Sequence, residues 1–109
     1  MSRTMTEVQL DQAIANRPHD KVTKDGIESR IDNVSYIVLP DSTVTLCNIK
    51  LENGYSVRGE SACVDSRNFD MEIGRNLAYK DAFSKLWALE GYLLAERKWQ
   101  MTLPTQMPE

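Results

Sequence analysis

Histidine and cysteine are scarce in this chain of 109 residues, with one of the first and two of the second. A structural zinc centre needs three or four clustered ligands, and His19, Cys47 and Cys63 are neither clustered nor arranged as CxxC. No metal site or other cofactor is therefore expected. No apolar run approaches the length of a membrane span, and MSRTMTEVQL lacks the apolar core of a secretory signal. The expected setting is the cytoplasm, with reduced thiols and no membrane partner. Clustered Lys and Arg are also missing. The net charge is −3 and the pI about 5.2, which argues against a general nucleic-acid-coating protein. Nucleophile signatures are absent too: Ser61 stands in GESAC, which is not GxSxG, and the sole histidine lies far away in sequence. The expectation is that the chain is not an enzyme.

What is present is an ordinary globular composition, 41% hydrophobic and 27% charged, in a length suited to one domain. Thr6 and Gln9 have capping-box spacing and predict a short helix to Ala15. Asn16 to Val22 is a polar linker containing Pro18. Thr23 caps a second helix, predicted from Lys24 to Asn33, with Ile27, Ile31 and Val34 at helical spacing. Ser35–Leu39 predicts a short strand, ended by Pro40-Asp41-Ser42. Thr43–Leu51 is the clearest strand, rich in β-branched residues. Asn53-Gly54 marks a turn, and Tyr55–Val64 returns.

The side-chain pattern selects the turn. A two-residue loop would set Ile49 opposite Arg58. A three-residue loop with a left-handed Gly54 pairs Ile49 with Val57 and Cys47 with Gly59, leaving Lys50, Ser56, Asn48 and Arg58 on the other face. In that register Cys63 lies opposite Thr43, roughly 13 Å along the strand from Cys47. That is too far for a disulfide.

Asp65 reads as a helix cap before a loose turn at residues 66–68. Asp70 and Glu72 then fall in the first turn of a helix predicted to reach Lys98. One apolar stripe comprises Ile73, Leu77, Ala82, Leu86, Leu89 and Leu93. Tyr79, Phe83, Trp87, Leu94 and Trp99 widen it beyond what one thin sheet covers. The surplus predicts a homo-oligomer held by this helix, with Phe83, Trp87, Tyr92 and Leu94 at the interface. Arg58, Glu60, Asn68 and Arg75 are the candidate ligand-binding residues, at a polar edge where the hairpin meets the helix. Free N–H groups at the helix start would suit a phosphate there, though Asp70 and Glu72 oppose an anion.

The expected fold is α+β: a small antiparallel sheet, hairpin plus short strand, packed on one long C-terminal helix, with two short N-terminal helices. Residues 1–22 are assigned to the N-terminal helix and linker, 23–99 to a single domain, and 100–109 to a disordered tail.

NGY at the turn, GESACV on the return strand, NFDMEIGR at the helix start, and LAYKDA and KLWALEGYLL along the helix closely resemble a family of small tailed-phage proteins. The family is typified by gene products forty-nine and sixty-six of enterobacterial phages. KVTKDGIESRI and TVTLC extend the resemblance to residues 21–98. Ser66 departs from the proline the family commonly has after the capping Asp. The resemblance implies a phage or prophage gene expressed in a bacterial host, and it carries over no catalytic residues. Small phage proteins dispensable for the virion often act on the host, so the expected partner is a host protein or a nucleotide signal. The strand-then-helix layout is similar in outline to phage sponges that sequester Thoeris signals. The other expectations are an acidic inhibitor of a host nucleic-acid-handling protein, or an accessory of phage DNA metabolism.

Overall fold

The structure is a computed structural model that describes residues 6–15 and 20–104. The element order is α1 (Glu7–Ala15), α2 (Lys24–Ser29), β1 (Ile31–Val38), β2 (Val44–Leu51), β3 (Ser56–Ala62), a 3-10 turn (Ser66–Asn68) and α3 (Met71–Met101). The strands form one antiparallel meander in the order β1-β2-β3, with α3 packed across β2 and β3. The α+β arrangement expected from the sequence is the observed one. The ends of the 100–109 tail and of the linker, residues 105–109 and 16–19, lie outside the described residues.

The hairpin register follows the side-chain pattern. Cys47 pairs with Gly59 and Ile49 with Val57. The Leu51 amide donates to the Tyr55 carbonyl at 2.7 Å, and Gly54 takes φ +90°, a conformation that glycine adopts without a Cβ penalty. The Cys63 amide donates to the Thr43 carbonyl at 3.4 Å, as that register requires. Both thiols are free. The Thr6–Gln9 capping box is formed, with reciprocal bonds of 3.1 Å each.

Three boundaries differ from the sequence reading. The second helix stops at Ser29, and Ile31 and Val34 belong to β1, where they pair with Leu51 and Ile49. Helical spacing misled because IDNVSYIV also carries alternating apolar residues, and pairing with β2 decides between the two periods. Asp65 caps only the 3-10 turn, where its carboxylate accepts from the Arg67 amide at 2.9 Å and from the Arg67 guanidinium. These bonds hold its carboxyl below the ordinary carboxylate range. Asp70 caps α3 itself, accepting from the amides of Glu72 and Ile73 at 2.8 and 3.1 Å. The helix then runs past Lys98 to Met101.

The core consists of Ile27, Cys47, Ile49, Leu51, Val57, Ala78, Ala82, Phe83 and Leu86. On α3 the line of contact is the small-residue row Gly74, Ala78 and Ala82, followed by Leu86. Ile73 and Leu77, which the apolar stripe placed inside, are 59% and 53% exposed. Small residues take the centre because α3 lies nearly in backbone contact with β3. A Cβ added at Gly59 would meet the Ala82 nitrogen at 2.2 Å.

Two α3 side chains also finish the outer edge of β3. Asp81 Oδ2 accepts from the Glu60 amide at 3.0 Å, and Lys85 Nζ donates to the Arg58 carbonyl. An unpaired strand edge is a template for unwanted pairing, and here the Glu60 amide and the Arg58 carbonyl are occupied.

Beyond Leu86 no residue of α3 is buried. Near that point Arg30, at the end of α2, reaches Glu90 Oε1 at 3.2 Å and Glu52 Oε1 at 3.4 Å. The three charged groups tie α2, the hairpin turn and α3 together.

Candidate functional site: an aromatic and cationic trough

Because α3 sits over β2 and β3, the helix-side face of β1 is only partly covered. The residues of β1 on that face are Val34, Tyr36 and Val38, all half-buried. Their opposite wall is the flank of α3 that begins with Arg75 and Tyr79. Phe83 and Trp87 continue the row at intervals of four, a spacing that stacks side chains along one helix face, with Trp87 reaching the hollow beside residues 21–25. The guanidinium of Arg75 stands 5.7 Å from the Tyr36 ring centroid, within cation–π range. Tyr79 and Phe83 are 5.7 Å apart by ring centroids, and Phe83 and Trp87 meet edge to face at 6.3 Å.

Among the described residues no carboxylate forms an ion pair with Arg75. Arg75 is exposed, so its charge is shared between solvent and the face of the Tyr36 ring. Burial raises the Tyr36 phenol above its ordinary value, the adjacent Cys47 thiol adds to that, and Arg75 acts in the opposite direction. Tyr79 is likewise raised by burial, with the Glu28 carboxylate contributing. Both phenols are neutral donors at physiological pH. The trough thus presents two phenol groups, aromatic faces and one cation without an acidic partner.

The structure does not assemble the sequence-derived candidates into one site. Arg58 and Glu60 lie on the sheet face away from α3, since Val57 and Gly59 occupy the buried side. Arg58 bonds to Asn48 Oδ1 at 3.3 Å and Ser56 Oγ at 3.2 Å. Arg75 is on the helix side. Asn68 is elsewhere again, lining a hollow of about 180 Å³ with Thr43, Ser61, Cys63 and Leu77. At that end of α3 the capping carboxylate of Asp70 already takes two helix amides. The phosphate reading of the helix start loses its donors for that reason.

Of the candidate interface residues, Phe83 is 7% exposed and belongs to the chain's own core. Trp87 and Tyr92 are 42% and 70% exposed. Leu94 lines a hollow between α2 and α3 with Arg30 and Arg97.

Tyr36 is the residue that sequence reasoning missed. The predicted strand Ser35–Leu39 contained it, but with Val34 read as helical no face was assigned, and nothing in the sequence indicated that α3 would leave that face open. Among the described residues no group of three or more His, Cys, Asp or Glu side chains could hold a metal ion. No described helix is long and apolar enough to cross a membrane.

Residues 22–98 match the phage protein family described as N4 Gp49/phage Sf6 gene 66. The match covers well over half of the chain, and the chain belongs to this family of phage proteins. No curated protein and no solved structure matches it.

Proposed function

We propose that this phage protein is a non-enzymatic binding protein that acts in the host cytoplasm against host defence or metabolism by sequestering a nucleotide signal. The observation that carries the reading is Arg75 over Tyr36 beside Tyr79 in a half-open trough. A planar base stacks on tyrosine faces, and a phosphate pairs with a guanidinium that has no carboxylate to satisfy it. The test is a thermal-shift screen of the purified protein with cyclic nucleotides and ADP-ribose derivatives. Stabilisation by one of them supports the reading, and stabilisation by none sinks it.

A second reading has its own observation. The overhanging end of α3 exposes Tyr92 at 70%, Trp99 at 56% and Met101 at 84%. Exposed aromatic residues are typical anchors of protein interfaces, and with the acidic charge they suit an inhibitor of a host nucleic-acid-handling protein. A stoichiometric host protein retained through this helix, and lost in Tyr92→Glu, distinguishes this reading from the first.

A further inference from the structure

The two edges of the sheet are treated differently. On β3 two of the outward groups, the Glu60 amide and the Arg58 carbonyl, are capped by Asp81 and Lys85 from α3. On β1 they are not. The Leu39 amide donates to the Val44 carbonyl, so by antiparallel alternation Ile37 and Ser35 also bond towards β2. Val34, Tyr36 and Val38 therefore direct their amides and carbonyls outward. No described group bonds to them. Natural edges are blunted by charges, proline or a covering element, yet VSYIV over residues 34–38 has no charge and no proline.

We infer that β1 pairs with β1 of a second copy of this chain, antiparallel about a two-fold axis, to make one six-stranded sheet. The occupant is a second copy because the edge is self-complementary. The same outward groups on each copy supply both donors and acceptors, as an isologous contact requires. Pairing around Ser35 sets Val34 opposite Tyr36 of the other copy, a favourable aromatic–aliphatic cross-strand pair. The only charged residue of β1, Asp32, is engaged by Lys50 at 3.5 Å and falls at the far end of that register. The long helix is less suited as the seam, since Phe83 is already spent within the chain.

The dimer has a consequence for the trough. Every residue with outward groups also has its side chain on the α3 side, so both copies of α3 fall on one face of the joined sheet. The two half-troughs meet along β1, and each gains the other's Tyr36 and Arg75. A site open on one side becomes a channel walled by two helices. This consequence, though not the dimer, rests on the proposed binding role of the trough.

Amide hydrogen exchange on the wild-type protein, read by NMR beside sedimentation, tests the dimer without any ligand. The expected result is a particle of twice the chain's 12.4 kDa, with the amides of Val34, Tyr36 and Val38 protected as well as those of Ser35 and Ile37. Val34→Pro removes one outward donor and is expected to give a monomer of unchanged circular dichroism, whereas Tyr92→Glu on the helix overhang leaves the dimer intact. A wild-type monomer, fast exchange at those three amides, or a dimer that Tyr92→Glu dissociates would each overturn the inference. Should Val34→Pro not fold, the wild-type exchange pattern decides alone. Failure of every nucleotide to bind would remove the channel's proposed role and leave the dimer standing.

Discussion

Gly59 of β3 and Ala82 of α3 are in backbone contact. A Cβ at Gly59 would lie 2.2 Å from the Ala82 nitrogen and 2.3 Å from the Ala78 carbonyl oxygen. Neither atom can retreat without moving the helix. This approach draws α3 over β2 and β3, and so leaves the trough above β1.

Gly59→Ala is expected to lose about 3 kcal/mol, the upper end of ordinary overpacking, with a fall of more than about 10 °C in Tm. Gly91→Ala is the counterpart, since nothing lies within 4 Å of a Cβ added there. It is expected to gain up to about 1 kcal/mol from helix propensity. Urea unfolding of the two variants beside wild type checks both signs.

The caps on the β3 edge predict a change in solution behaviour. Asp81→Ala leaves the Glu60 amide without its acceptor, and Lys85→Ala frees the Arg58 carbonyl. Each single variant is expected to cost about 1 kcal/mol. The double variant is expected to aggregate during storage at concentrations that wild type tolerates, which light scattering would show.

Cys47 and Cys63 are expected to part company in reactivity. Cys47 is fully buried and its thiol is raised by that burial. Cys63 is half-buried and donates to the Asp65 carbonyl at 3.0 Å. Labelling of the native protein is expected to modify Cys63 first and Cys47 only on unfolding, as peptide mass spectrometry would show.

Alkaline pH is expected to destabilise the fold. Tyr36, Tyr79 and Cys47 all have raised pKa values, and each favours its neutral form in the folded state. Their contribution is complete below the ordinary thiol and phenol values of 9.0 and 10.0 and is lost as pH rises through the raised ones. The urea midpoint should therefore decline above about pH 9. Cys47→Val, which keeps the volume and removes the thiol, should flatten the start of that decline.

The hairpin was legible because alternation and Asn53-Gly54 gave the same answer from two independent signals. Its face assignment for Arg58 was legible from parity alone. The position of α3 was not. The apolar stripe held Ala82 and Leu86, which are buried, but it also put Ile73 and Leu77 inside, where the contact runs through Gly74 and Ala78 instead. Large side chains dominate a hydrophobic pattern, but small ones decide how near two backbones can come. The same limit hid the site. That Arg75 meets Tyr36 depends on where the helix rests across the sheet, which no local spacing encodes. Asp65 was read as the cap and Asp70 as a residue of the first helical turn, whereas the intervening 3-10 turn takes Asp65 and leaves Asp70 to cap α3.

The central claim is that the Tyr36–Arg75–Tyr79 trough binds an anionic planar ligand. Calorimetric titration of the best thermal-shift nucleotide into wild type, Arg75→Ala and Arg58→Ala tests it most directly. Arg58 lies on the opposite face of the sheet and serves as a matched loss of one positive charge. The account predicts that Arg75→Ala weakens binding at least tenfold, about 1.4 kcal/mol, while Arg58→Ala binds as wild type does. Equal affinity in all three proteins, or a loss confined to Arg58→Ala, would contradict it.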